Sequence, residues 1–182
     1  MRLFVSVDFE GVADAIEALQ EPLTGLSGVR PTDPEQAHVT VKFLGGGDHD
    51  LEALSTALER AIEEAGTESF EAALGGVGAF PSEEYIRVVW AGVEAGATEM
   101  SELHRYVERE ATALGYDEER HEFTPHVTLA RMEHAAEKAT VQRFLDEATS
   151  DVGPVRVEEL RLKESVLTND GPAYRTVERF EL

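Results

Sequence analysis

His38-Val39-Thr40-Val41-Lys42-Phe43-Leu44, residues 38–44, alternates polar and apolar side chains and is rich in β-branched and aromatic residues. That period of two is the signature of a strand, in which residues i and i+2 share a face. His38 and Thr40 therefore project together, with Val39 and Val41 on the opposite face. The pattern recurs as His126-Val127-Thr128-Leu129 inside Phe123–Arg131. Each copy is followed by a basic residue, Lys42 or Arg131, and then by a helical stretch. On the same count of two, Lys42 falls on the His38 face, whereas Arg131, three residues beyond Thr128, falls out of phase.

Working outward, residues 2–8 (RLFVSVD) read as a strand and residues 10–20 as a short helix. Residues 22–36 carry Pro22, Gly25, Gly28, Pro31 and Pro34 and read as loop. After Gly45-Gly46-Gly47, a helix is expected from Asp48 to Ala65, capped by Asp48 or Asp50, with Leu51, Leu54, Leu58 and Ile62 as its apolar stripe. Strands follow at 69–77 and 84–93. A second long helix is expected at 97–114, with Met100, Leu103, Val107 and Leu114 on one side and Gly115 as its stop. Residues 123–131 are again β-rich and 135–148 helical. Residues 154–168 and 174–181 read as strands joined by a turn at Asn169-Asp170-Gly171. Paired strands with interspersed helices give an α+β expectation with largely antiparallel sheets.

The 182 residues carry 37 acidic against 16 basic side chains, a net charge of −21, and no cysteine. A chain of this length and 42% hydrophobic content forms one compact domain, 1–182, or two small lobes sharing a core. The acidic excess points to a protein adapted to high salt, where carboxylates stay hydrated and their repulsion is screened. It also argues against an extended nucleic-acid footprint, which needs a basic stripe. Nucleic acid would have to be held at a small local site such as one terminal phosphate. No apolar run is long enough to span a bilayer and no signal peptide is expected, so the expectation is a cytoplasmic monomer without membrane or DNA partners.

If the two His-x-Thr strands face each other, two imidazoles and two hydroxyls converge. Such a set suits in-line attack at phosphorus: one imidazole takes a proton from water, and the other protonates the departing oxygen. Histidine, with an unperturbed pKa of ~6.5, serves either role near neutrality. Threonine hydroxyls donate to non-bridging oxygens where charge builds up. A single His-x-Thr is more often structural; two copies on the same kind of element change that balance. A metal site is less expected, since there is no His-x-His pair or HExxH helix, and no metal or other cofactor is called for. A serine hydrolase lacks its G-x-S-x-G elbow. His49, His104, His121 and His134 sit in polar contexts and read as surface residues.

At this point the chain resembles the 2H phosphoesterases, specifically the RNA 2′,3′-cyclic phosphodiesterases once named 2′-5′ RNA ligases. RLFVSVDF at the start, HVTVKFLG at 38–45, GVGAFPSEEYIRVVWAGV at 76–93, FTPHVTLAR at 123–131 and LRLKESVLTNDGPAYRTVERFEL at 160–182 carry the resemblance. It implies two pseudo-symmetric lobes, each a mainly antiparallel sheet with flanking helices, around a central cleft. It implies His38 as proton donor, His126 as proton acceptor, and Thr40 and Thr128 as phosphate ligands. Arg131 matches the arginine after the second motif, and Lys42 stands where relatives often carry arginine. The activity implied is hydrolysis of a terminal 2′,3′-cyclic phosphate on RNA to a 2′-phosphomonoester, with 2′-5′ ligation as the reverse reaction. The rival readings are a relative acting on a small cyclic nucleotide such as ADP-ribose 1″,2″-cyclic phosphate, and a non-catalytic RNA-end binding module.

Overall fold

A computed structural model describes residues 1–182. The elements in chain order are β1 (Arg2–Asp8), α1 (Ala13–Gln20), β2 (Val29–Pro31), β3 (His38–Gly46), α2 (Leu51–Ala65), β4 (Phe70–Pro81), β5 (Ile86–Val93), α3 (Ala97–Ala113), β6 (His126–Met132), α4 (Lys138–Glu147), β7 (Val152–Val157), β8 (Glu159–Thr168) and β9 (Gly171–Glu181). All strand pairings are antiparallel, in the order β7-β4-β5-β6-β3-β1-β8-β9, with β2 added beside β6.

The two His-x-Thr strands, β3 and β6, lie at the centre of that order. They divide the sheet into two halves, β3-β1-β8-β9 and β6-β5-β4-β7, with β2 joined to the second. Chain order repeats as well: β1-α1-β3-α2 corresponds to β5-α3-β6-α4. The short sequence repeat is thus the visible part of a larger topological one. Helix placement is crossed. α1 leaves β1 in the first half but reaches β6 in the second, where the Gln20 amide donates to the Leu129 carbonyl at 2.9 Å. α3 leaves β5 in the second half but packs on β3 and α2 in the first. The fold is therefore α+β with two pseudo-symmetric halves, as the alternation and the resemblance led us to expect.

The apolar positions explain why these elements close. Val39, Val41, Val127 and Leu129 are at most 2% exposed, and on the helices Leu54, Leu58, Met100, Leu103 and Val107 are at most 1% exposed. Each such side chain contributes about 1.5–3 kcal/mol on burial. α2 is capped by Asp50, whose carboxylate accepts from the Ala53 amide at 3.0 Å. Gly66 ends it with φ 64°, a left-handed position that suits glycine.

Three expectations change. Residues 154–168 are not one strand: the chain breaks at Glu158, and β7 and β8 go to different halves of the sheet, one against β4 and one against β1. Continuous alternation cannot show that break, because each piece keeps its own period of two. Residues 22–36 are not all loop, since β2 pairs with β6 through Val29, Arg30 and Pro31. Leu114 lies beyond α3 and is 44% exposed rather than part of its buried stripe.

Candidate active site

β3 and β6 meet at a single register pair, Val39 with Val127. Antiparallel geometry then sets His38 beside Thr128 and Thr40 beside His126, all on the face opposite the two valines. The two imidazoles stand on opposite sides of the Val39–Val127 pair, near enough for the His126 charge to act on His38. All four residues are half-buried while the valines are fully buried, so the quartet faces the open side of the sheet.

Both imidazoles are held alike. His38 Nδ1 lies 2.8 Å from the Gln36 carbonyl and His126 Nδ1 2.5 Å from the Thr124 carbonyl, each two residues upstream. A carbonyl only accepts, so Nδ1 carries the proton and Nε2 is turned to the open face. Aromatic rings wall each histidine. Phe4 and Tyr174 stand 5.2 and 5.0 Å from the His38 ring, and Phe80 and Trp90 stand 5.0 and 5.9 Å from the His126 ring. The indole of Trp90 lies over Gly78, where an added Cβ would come within 2.3 Å of it.

The surroundings break the symmetry. Asp8 pairs with His38 across β1 and accepts from Ser6, Arg161 and Lys163, each at 2.7 Å. Burial works to raise the Asp8 pKa, yet the Lys163 hydrogen bond and charge, helped by Ser6 and Arg161, hold it below the ordinary carboxylate value. Burial lowers the pKa of both histidines. At His38 the Gln36 carbonyl and the Asp8 carboxylate pull upward against Lys163 and His126. At His126 the Thr124 carbonyl pulls upward against Arg131, and no carboxylate contributes.

The two basic residues after the motifs exchange places relative to the strand count. Across from β1, Val5 pairs with Lys42 and Ser6 with Thr40, so Val41 is an extra residue on β3. Across from β5, Val89 pairs with Ala130 and Trp90 with Thr128, so Leu129 is an extra residue on β6. Both are β-bulges at the same offset from their histidine, and a bulge reverses the alternation beyond it. Lys42 is accordingly turned away from the quartet. It is 3% exposed, with Nζ 2.8 Å from Glu108 and 2.6 Å from the Asp117 carbonyl. Its expected place beside substrate is corrected on this point. Arg131, expected out of phase, shares the sheet face of Thr128 and Trp90 and is exposed. Phe43 is its counterpart in the first half, 62% exposed and paired with Phe4, whose ring touches His38. Sequence reading passed over Phe43, and only the bulge reveals its face.

His104 is also more than a surface residue. Its Nδ1 donates to the Val41 carbonyl at the bulge, 2.7 Å away, and its ring stacks on Phe123 at 4.1 Å. Gln20 does the same for Leu129 at the second bulge. Each bulge is thus braced by a polar side chain from the helix that crosses over. His49 is bound as well, to the Tyr116 hydroxyl and the Met1 carbonyl. His121 and His134 are exposed.

The chain belongs to the 2′-5′ RNA ligase superfamily, whose family model matches residues 9–166. Within it, the chain is 35% identical to an RNA 2′,3′-cyclic phosphodiesterase of Methanothermobacter thermautotrophicus over 100% of its own length and 99% of that protein. It is 37% identical to the enzyme of that name from Aeropyrum pernix, over 82% and 84% of the two chains. A crystal structure of a Thermus thermophilus protein superposes with a TM-score of 0.78 at 29% identity, covering 100% of this chain and 98% of that one. Escherichia coli LigT in its apo form shares the fold, with a TM-score of 0.74 at 22% identity over 99% and 96% of the two chains.

Proposed function

We propose that this chain is an RNA 2′,3′-cyclic phosphodiesterase that opens a terminal cyclic phosphate to a 2′-phosphomonoester. The observation that carries the reading is the quartet around the Val39–Val127 pair: two imidazoles with Nε2 outward, and Thr40 and Thr128 on the same face of their strands. The relatives named for this activity support it. In the step, water attacks phosphorus opposite O3′, and the P–O3′ bond breaks while P–O2′ remains. His126 Nε2 takes the proton of water and His38 Nε2 gives one to O3′. The assignment of His38 as donor and His126 as acceptor follows the family resemblance; at His38 the Lys163 cation outweighs the Asp8 carboxylate, so the local charges do not set it. Thr40, Thr128 and the Arg131 guanidinium face the phosphate oxygens, and Phe43 offers a surface for a base. Lys42 has no part at the phosphate.

The chain's own groups supply acid, base and donors, so turnover is expected to survive EDTA; activity lost to the chelator and restored by zinc or manganese would point to a metal mechanism. A second reading, a cyclic phosphate on a small nucleotide, is favoured by the acidic surface. Of the thirteen arginines, Arg30, Arg60, Arg105, Arg109, Arg161, Arg175 and Arg179 are paired with carboxylates, which thins the basic surface open to a long RNA. The −21 charge supports a salt-rich cytoplasm as the setting. The deciding experiment is product analysis with an oligonucleotide ending in a 2′,3′-cyclic phosphate, run beside cyclic mononucleotides. A 2′-phosphate product, abolished in both His38→Ala and His126→Ala, is expected. Near-normal turnover in either variant refutes the roles.

A further inference from the structure

His38 and His126 share a motif, yet the carbonyls that orient them are anchored differently. Thr124, two residues before β6 begins, makes no side-chain hydrogen bond; the chain is held at the next residue, where the Pro125 carbonyl accepts from the Val93 amide at 2.9 Å. Gln36 is held through its own side chain. It closes a short turn, Pro34–Gln36, capped by Asp33, whose carboxylate accepts from the Glu35 amide at 2.9 Å. Its Oε1 accepts from the Tyr174 amide at 2.9 Å, and its Nε2 donates to the Pro172 carbonyl and to Asp33, each at 3.3 Å.

Pro172 and Tyr174 lie on β9, the edge strand of the sheet. Their free amide and carbonyl are the groups a further strand would pair with. A primary amide carries one acceptor and two donors and satisfies both groups as a peptide unit would. The residue so fixed is the one whose ring packs edge-on against His38 at 5.0 Å and against Phe4 at 5.1 Å. One side chain therefore sets two walls of the His38 site, the carbonyl behind Nδ1 and the Tyr174 ring beside it. It also moors the end of the β8–β9 hairpin, where Leu167 is 86% exposed and nothing but β9 pairs with residues 165–168.

We propose that Gln36 is a positioning residue for His38: its side-chain amide locks the carbonyl and the tyrosine ring that hold the imidazole with Nε2 outward. The consequence for turnover rests on the role given to His38 above. Gln36 places no atom on substrate, so its loss acts on kcat and leaves KM within about twofold. A misplacement of ~1 Å in a catalytic group costs up to ~10²-fold, so a fall of roughly 10–100-fold in kcat is expected for Gln36→Met, which keeps the side-chain length and removes all three side-chain hydrogen bonds. Gln36→Glu keeps an acceptor for the Tyr174 amide but sets a carboxylate against the Pro172 carbonyl and Asp33, and is expected to lose at least as much.

The test is ¹⁵N NMR of the imidazoles in the full-length protein, beside steady-state kinetics and the thermal midpoint. In the parent, His38 shows one tautomer, protonated at Nδ1. In Gln36→Met the His38 signals move toward a tautomer average while those of His126 stay, with the midpoint within a few degrees. His38 signals unchanged in both variants overturn the proposal. Altered His38 signals with full turnover uphold the positioning and sink the catalytic role of His38 instead, so the two failures are distinguishable.

Discussion

Replacing Lys42 by methionine separates a phosphate ligand from an internal clamp. The Lys42 side chain is 2% exposed, and its partner Glu108 is 17% exposed. Breaking a buried ion pair by removing one partner costs about 3–5 kcal/mol. The Glu108 Oε2 that faces Lys42 is buried, but Oε1 still accepts from the Glu119 amide at 2.6 Å, so the cost lies toward the low end, about 2–3 kcal/mol. For a chain of 182 residues, each kcal/mol moves the midpoint by about 2–4 °C, so Lys42→Met should melt about 5–10 °C lower. Adding Glu108→Leu removes the stranded carboxylate, and the double variant should be more stable than Lys42→Met alone. Thermal melting and the KM for a cyclic-phosphate oligonucleotide across a salt series provide the assay. The slope of log KM against log salt should be unchanged, whereas loss of a single-strand phosphate contact shallows it by about 0.7. An unchanged midpoint with a tenfold higher KM and a shallower slope would refute the clamp and return Lys42 to the substrate.

Arg131→Ala should raise KM about tenfold and shallow the salt slope, since the bulge sets its guanidinium on the quartet's face; an unaltered slope would remove it from the phosphate. Burial lowers both histidine pKa values, so neutral imidazole is favoured in the folded state; the resulting stability is present above pH ~6.5 and lost as pH falls through the lowered values. For the same reason kcat/KM, which reports the free enzyme, should peak below pH ~6.5 and on the acid side of kcat, where the bound phosphate anion raises the donor; a kcat/KM peak above pH ~7 contradicts this. At a net charge of −21 the thermal midpoint should climb from low to molar KCl as the Debye length shortens from ~30 to ~3 Å, and a falling midpoint would sink the high-salt reading.

What the sequence displayed and what it hid divide along one line. Strict alternation exposed the His/Thr faces of β3 and β6, because a period of two holds from His38 to Val41 and from His126 to Leu129. It failed one residue later in both strands. A bulge is made by the neighbouring strands and by a bracing side chain from a distant helix, His104 for one and Gln20 for the other. Neither contact has a local signature, so Lys42 read as facing substrate and Arg131 as facing away. The β7–β8 break was hidden similarly, since Glu158 interrupts pairing partners rather than the pattern. β2 was masked by the prolines and glycines around it, as a three-residue edge strand lacks the length to show a period.

The crossed helices have a consequence for how the molecule can be assembled. Cut between α2 and β4, the chain would leave a first piece holding α1 without β6, and β3 without α3. Neither piece could close its own core. Each would cover its sheet only by trading a helix with the other piece or, failing that, with a second copy of itself. Folding is therefore committed to contacts far apart in the chain, such as Gln20 with Leu129 and Val41 with His104, before either half gains its packing. The two halves should consequently unfold as one cooperative unit, with no stable half-folded species on the way.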